Sequence, residues 1–293
     1  MNKFAIHSIP LLVVVCAICG EGRSRAHDPP TDRRALGAIM LRFSNDGESI
    51  ACSYHGAIWK LSRTQGTMTR LSKTGREFDI EPTWSHDGTK IAMIRSTNFQ
   101  TGPLGLIDSQ TGRSIPLPTE VIASSKLHFD ETDQKVLGVF KQNNEQPRLS
   151  WYDIASGQIT LAVDETAWPP NFTDVLNYRR FIYAASHDGN SMAVVAPADV
   201  PGEQSGNQGP QCNVWRVSLQ GKAPEKLFSW PARIHELCWT KDDGSFIVAT
   251  ERGGVHHDLW EIPVGSLDLA RKWTFAQADE SSPDATADGR WLC

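Results

Sequence analysis

Histidines and carboxylates gather in one part of this chain. His256-His257-Asp258 follows His235-Glu236 within about one repeat length, and imidazole with carboxylate is a donor set that holds divalent metals. In an extended segment adjacent side chains point to opposite faces, so a metal shared by both histidines would need a turn there. The group is expected to be polar residues of a loop, with no metal ligand among them. Ser44 and Ser85 fall in turns, without the Gly-x-Ser-x-Gly elbow that exposes a nucleophilic serine. No Ser/His/Asp constellation is apparent. No catalytic residue, no cofactor and no enzymatic activity are assigned.

Six cysteines are present, and Cys16 and Cys19 lie in an apolar leader. Cys52, Cys212, Cys238 and Cys293 remain, which permits three pairings in an exported chain. Cys52 and Cys238 fall in expected strands, where cysteine packs as a small apolar residue. The pairing stays open. None of the four belongs to a structural zinc spacing.

Residues 1–26 have the pattern of a signal peptide: Lys3 as the only early charge, an apolar run around Ile9–Ile18, and Ser24-Arg-Ala26 at the cleavage position. No stable membrane span is expected after cleavage, which places the protein in the periplasm or outside the cell. The balance of 29 basic and 34 acidic residues, net −5, argues against nucleic acid, whose phosphates need a basic surface.

The elements that must carry any site come from a repeated phrase. It reads Arg42-Phe-Ser-Asn-Asp-Gly-Glu-Ser-Ile-Ala51, then Thr83-Trp-Ser-His-Asp-Gly-Thr-Lys-Ile-Ala92. It returns as Ala185-Ser-His-Asp-Gly-Asn-Ser-Met-Ala193, Trp239-Thr-Lys-Asp-Asp-Gly-Ser-Phe-Ile-Val248 and Ala285-Thr-Ala-Asp-Gly-Arg-Trp-Leu292. A degenerate copy runs over Phe129-Asp-Glu-Thr-Asp-Gln-Lys-Val-Leu137. Asp-Gly between two β-rich runs marks a hairpin, because glycine tolerates the positive φ the turn needs. The aspartate can accept from a backbone amide two residues on. The structural turn residues are thus Asp46, Gly47, Asp87, Gly88, Asp188, Gly189, Asp243, Gly244, Asp288 and Gly289. With Asp133 for the degenerate copy, the turn aspartates at 46, 87, 133, 188, 243 and 288 are separated by 41, 46, 55, 55 and 45 residues. His86 and His187 share the place just before the turn aspartate, which assigns them to the hairpin.

A strand with a central aromatic follows the first, degenerate, third and fourth copies, centred on Trp59, Trp151, Trp215 and Trp260, with a weaker form, Leu104-Gly-Leu-Ile-Asp108, after the second, and a glycine turn then leads into a last strand. Four short alternating strands per repeat make propeller blades, and the recurring tryptophans are expected to pack between them. The expected blades cover 36–72, 79–118, 121–163, 179–230 and 234–276, with a partial sixth from 279. Residues 27–35 form a linker or a closing strand. The expected fold is all-β: five four-stranded blades and part of a sixth, in an open or imperfectly closed ring. The stretch 197–211, rich in Gly, Pro and Gln, interrupts the fourth blade as a loop of the kind that carries binding residues.

The phrase Ser-x-Asp-Gly-x-x-Ile-Ala, followed by an aromatic strand and Gly-x-x-x-x-Leu, resembles the TolB-type propeller repeat, also called the WD40-like PD40 repeat, over residues 36–293. The resemblance implies a non-catalytic scaffold of the cell envelope that binds a protein or peptide partner. The chain ahead of the first blade is short for the α/β domain that precedes the propeller in TolB. The alternative is the N-terminal propeller of a truncated or fragmentary exported hydrolase, amidohydrolase or prolyl-oligopeptidase-like, with its catalytic domain absent. A propeller enzyme using its own channel would need convergent carboxylates or a metal.

Overall fold

The repeated phrase folds into one local device. Ser44 Oγ donates to Asp46 Oδ1 at 2.6 Å, and the same oxygen accepts from Glu48 N at 2.9 Å. Gly47 N closes the turn on Ser44 O, and Ser49 N donates to Ser44 Oγ. Gly47 has φ +70°, a left-handed conformation that glycine takes without steric cost. The device repeats with Ser85 and Asp87 at 2.7 Å and with Ser186 and Asp188 at 2.5 Å.

The computed structural model describes residues 38–73, 75–142, 146–164, 167–169, 181–197, 212–240, 242–252, 254, 256–275, 279–286 and 292. Turn residues Asp288 and Gly289, the leader 1–26, segment 27–35, Cys293 and nearly all of the 197–211 loop lie outside them. The hairpins join antiparallel strands in sequence order. The first sheet is β1 (Ile39–Phe43), β2 (Ser49–Tyr54), β3 (Ala57–Ser62) and β4 (Met68–Arg70). Next come β5 (Phe78–Trp84), β6 (Lys90–Ser96) and β7 (Thr101–Asp108), then β8 (Ile122–Phe129), β9 (Lys135–Lys141), β10 (Arg148–Asp153) and β11 (Ile159–Leu161). The fourth set is β12 (Tyr183–Ala185), β13 (Ser191–Pro197), β14 (Cys212–Ser218) and β15 (Glu225–Trp230). The fifth is β16 (Ile234–Trp239), β17 (Ser245–Thr250), β18 (Asp258–Pro263) and β19 (Arg271–Lys272). No α-helix occurs among the described residues, and none of their helices is long and apolar enough to cross a membrane.

The second set departs from four strands. Its fourth strand is reduced to a single bridge, Ile107 with Ser114. Pro116 and Pro118 follow at once, and proline has no N–H for a ladder. The first three residues of β7 pair instead with β8, so β5 to β11 form one continuous seven-stranded sheet. Gly102 permits this crossing: a Cβ there would stand 1.9 Å from Arg95 O.

The apolar core divides into clusters between neighbouring blades. Alternate residues of β6 face opposite ways, Ile91 and Met93 toward the first blade, Ala92 and Ile94 toward the third. β13 splits likewise, Met192 and Val194 on one side, Ala193 and Val195 on the other. A strand buried on both faces needs apolar residues without interruption, which is why these segments are apolar throughout. Trp151, Trp215 and Trp260 pack half-buried against these clusters. Between the fifth blade and the start of the sixth, Cys238, Ile247 and Leu259 meet Leu292 and Ala285. Phe43 N donates to Asp284 Oδ2 at 2.7 Å, 241 residues away, so the sixth segment also touches the first blade.

Candidate functional site

The first strand of each blade runs beside the axis, and the strand pairings align its residues. Phe43, Trp84, Phe129 and Trp239 each pair with the first apolar residue of the next strand. One position earlier stand Arg42, Thr83, His128 and Cys238, joined by Ala184 and Asp284, which precede Ala185, paired with Met192, and Ala285, bridged to Leu292. All six line one cavity of about 690 Å³ on the hairpin side of the ring. Its rim carries the turns themselves, including Asn45, His86, Glu131 and His187.

Charged groups lie in and beside the row, buried or half-buried. Arg42 lies 3.6 Å from Glu81, and Lys126 Nζ donates to Leu237 O at 3.0 Å. Burial pushes the Lys126 ammonium down, helped by Arg42. Burial also lowers His128, with Lys126 and Arg42 adding to it, to about 3. Asp284 is pushed up by burial, against the opposing pull of Arg42, the Phe43 amide and Lys126. His128 stacks edge-on to Tyr183, ring centres 5.3 Å apart, while Tyr183 Oη donates to Lys126 O at 2.6 Å. Two tryptophans hold neighbouring inner strands in register: Trp84 Nε1 donates to Arg42 O and Trp239 Nε1 to Ala184 O, each at 3.1 Å.

The rim follows a second rule, which links each turn to the one before it. In the fifth blade the turn carboxylate is Asp242, which accepts from Thr240 Oγ1 and Gly244 N. Asp243 takes the left-handed position held elsewhere by glycine, φ +50°. The turn thus sits one residue earlier than the Asp243-Gly244 placement. In the degenerate copy Asp130 replaces the serine, accepting from Gln134 N and Lys135 N, and Asp133 is left-handed at φ +57°. Both left-handed aspartates reach back to the preceding turn. Asp133 accepts from His86 N at 2.6 Å and Asp87 N at 2.9 Å. Asp243 meets His187 Nδ1 at 2.8 Å. Where glycine stands instead, the preceding turn offers Asn45 or Glu131. His86 and His187 are therefore hairpin residues that also clasp adjacent blades.

The His/carboxylate stretch of the fifth blade is only partly brought together. His235 and His257 converge, but on Glu251, which the sequence reading did not single out. His256 lies toward Asp279 and Asp258 pairs with Lys272. Glu236 is buried on the inner strand and, like Glu81, acts electrostatically on Lys126. Cys52, Cys212 and Cys238 are buried thiols, not disulfides. Burial pushes Cys212 up to about 11 and Cys238 up to about 12, which keeps both in the unreactive thiol form.

Sheets wound in sequence around a shared axis, with apolar clusters between them and a funnel at the centre, define a β-propeller. Its fold is of the TolB type. TolB from Acinetobacter baumannii aligns at TM-score 0.62 and 14% identity over 85% of this chain and 57% of that one. A putative TolB from Agrobacterium tumefaciens aligns at 0.55 and 13%, over 81% and 80%. Oligogalacturonate lyase from Vibrio parahaemolyticus aligns at 0.53 and 15%, over 87% and 86%. The chain thus spans little more than half the length of the Acinetobacter TolB. No protein-family model and no curated protein matches the sequence.

Proposed function

We propose that this propeller is a non-catalytic binding scaffold of the cell envelope, periplasmic or secreted, whose central funnel receives a segment of a protein or peptide partner. One observation carries the reading. The frame residues repeat from blade to blade, whereas the six aligned residues facing the funnel are arginine, threonine, histidine, alanine, cysteine and aspartate. A frame that repeats while its inward row diversifies is how a scaffold acquires a specific surface, since function lives in the site and not in the fold. The row combines cationic, anionic and apolar groups, and Trp84, Trp239 and Phe129 wall it. That mixture suits the varied side chains of a peptide. The TolB-type fold and the signal-peptide pattern of residues 1–26 support the location.

The test is a peptide-display selection on the immobilised full chain, repeated with Lys126→Met and His86→Ala variants. Peptides that bind the parent and lose at least about tenfold on either variant, roughly 1.4 kcal/mol, support the funnel. Peptides that bind all three equally place the site elsewhere. Because an oligogalacturonate lyase shares the fold, the same preparation is assayed for cleavage of oligogalacturonate. Turnover that survives rigorous purification would replace the scaffold reading with an enzymatic one.

A further inference from the structure

At the other end of the fifth blade's inner strand from the funnel, His235, Glu251 and His257 meet. Their ligand atoms all lie within 4.8 Å of one another. His235 Nε2 is 2.8 Å and His257 Nε2 is 3.4 Å from the same oxygen, Glu251 Oε1. The two imidazoles stack with centroids 3.6 Å apart and planes 22° from parallel.

We propose that these three side chains form a binding site for a divalent transition metal, with Zn²⁺ the best fit. Two imidazole nitrogens and one carboxylate oxygen are ligands that Zn²⁺ accepts, at about 2.0–2.2 Å each. Ligand atoms on one tetrahedral ion then stand about 3.3–3.5 Å apart, close to the spacing that His257 and Glu251 already have. The stacked rings must fan apart slightly so that both lone pairs reach one ion. Imidazole ligands disfavour Mg²⁺ and Ca²⁺, which prefer an all-oxygen shell.

The site is built on fixed elements. His235 is on β16 and 8% exposed. Glu251 directly follows β17, whose last residue Thr250 donates to Arg233 O and accepts from Trp230 Nε1. The neighbouring Arg252 guanidinium lies over Trp230 and Trp260, 4.3 and 4.9 Å from the ring centres. His257 is held by its backbone: its N–H donates to Asp279 Oδ1 and its carbonyl accepts from Glu280 N. Three ligands pinned by three separate contacts lose little freedom on binding, which favours affinity. The Glu251 and His257 side chains remain 35% and 21% exposed, so an ion can enter and a water can complete the shell.

The experiment measures metal in the full chain after chelator treatment, equilibration with zinc sulfate and desalting. About one equivalent of Zn²⁺ is expected to stay with the protein. At free Zn²⁺ about 100 times Kd, the folded-to-unfolded ratio rises about 100-fold, read as a higher thermal midpoint. Glu251→Gln and His257→Ala should each weaken retention at least tenfold, whereas His256→Ala, one residue away, should keep it. Glu251→Gln nearly preserves shape, so it decides the matter if His257→Ala does not fold. A parent chain that retains no Zn²⁺, or variants that retain as much as the parent, would overturn the proposal.

Discussion

At the scale of the residue, the hairpin aspartates are small proton-linked stabilisers. Burial opposes ionisation of Asp87, but the Ser85 hydroxyl and the Thr89 amide and hydroxyl outweigh it, and its carboxyl falls to about 2. Asp46 is lowered by the Ser44 hydroxyl and the Glu48 amide, and Asp188 by Ser186 and Asn190. A carboxyl whose folded pKa is depressed adds stability that is fully present above its unfolded value and disappears as pH falls through the folded one. Stability should therefore fall below about pH 4, the ordinary aspartate range, and continue to fall toward pH 2, as read by urea midpoints across that window. Asp87→Ala should cost about 1 kcal/mol at pH 7, because the bonds are to a charged but solvent-exposed group. It should also flatten the acid limb relative to the parent; an unchanged limb would assign acid sensitivity to other groups.

At the scale of the element, the left-handed aspartates turn hairpins into clasps between blades. His187 is raised by its hydrogen bond to Asp243, against burial. A histidine with a raised folded pKa adds stability that is fully present below the unfolded value, about 6.5, and is lost as pH rises through the folded one. The fourth and fifth blades should thus hold together more firmly at pH 6 than at pH 9. Asp243→Gly should abolish that difference, worth up to about 1 kcal/mol at this half-exposed pair, while keeping the turn. Hydrogen exchange in β16 and β17 at the two pH values measures it. The hairpins themselves were legible because the phrase that begins Ser-x-Asp-Gly encodes its whole geometry within six residues, as from Ser44 to Ser49. The clasps were not, since His86 and Asp133 lie 47 positions apart and only the ring brings them together. Consecutive Asp242 and Asp243 both fit the turn aspartate, and Thr240, two residues before Asp242, makes that one the turn carboxylate. Pro116 and Pro118 were visible signs against a fourth strand in the second blade, masked by the strength of the repeat. Glu251 was hidden for the same reason as the clasps: β16, the end of β17 and the start of β18 are joined by pairing, not by sequence proximity.

At the scale of the whole molecule, the described contacts between the first blade and the sixth segment include a polar one at the inner strand. Phe43 N reaches Asp284 Oδ2, and Gly47 packs close to Thr286, where a Cβ would stand 3.1 Å from a methyl group. A part-buried amide that loses its acceptor costs up to about 1–3 kcal/mol, so this contact between the first blade and the sixth segment depends on the Asp284 side-chain oxygen. Burial raises the Asp284 carboxyl, which means that its negative charge opposes folding at neutral pH while its oxygen favours it. The two effects separate by substitution. Asp284→Asn can keep an oxygen for the Phe43 amide and removes the charge, so its thermal midpoint at pH 7 should equal or exceed that of the parent. Asp284→Ala removes the oxygen too and should lose about 1–3 kcal/mol relative to Asn. If Asn falls as far as Ala, the carboxylate is needed as a counter-charge to Arg42 and Lys126, and the contact between the first blade and the sixth segment rests on the charge network of the channel, not on the single hydrogen bond.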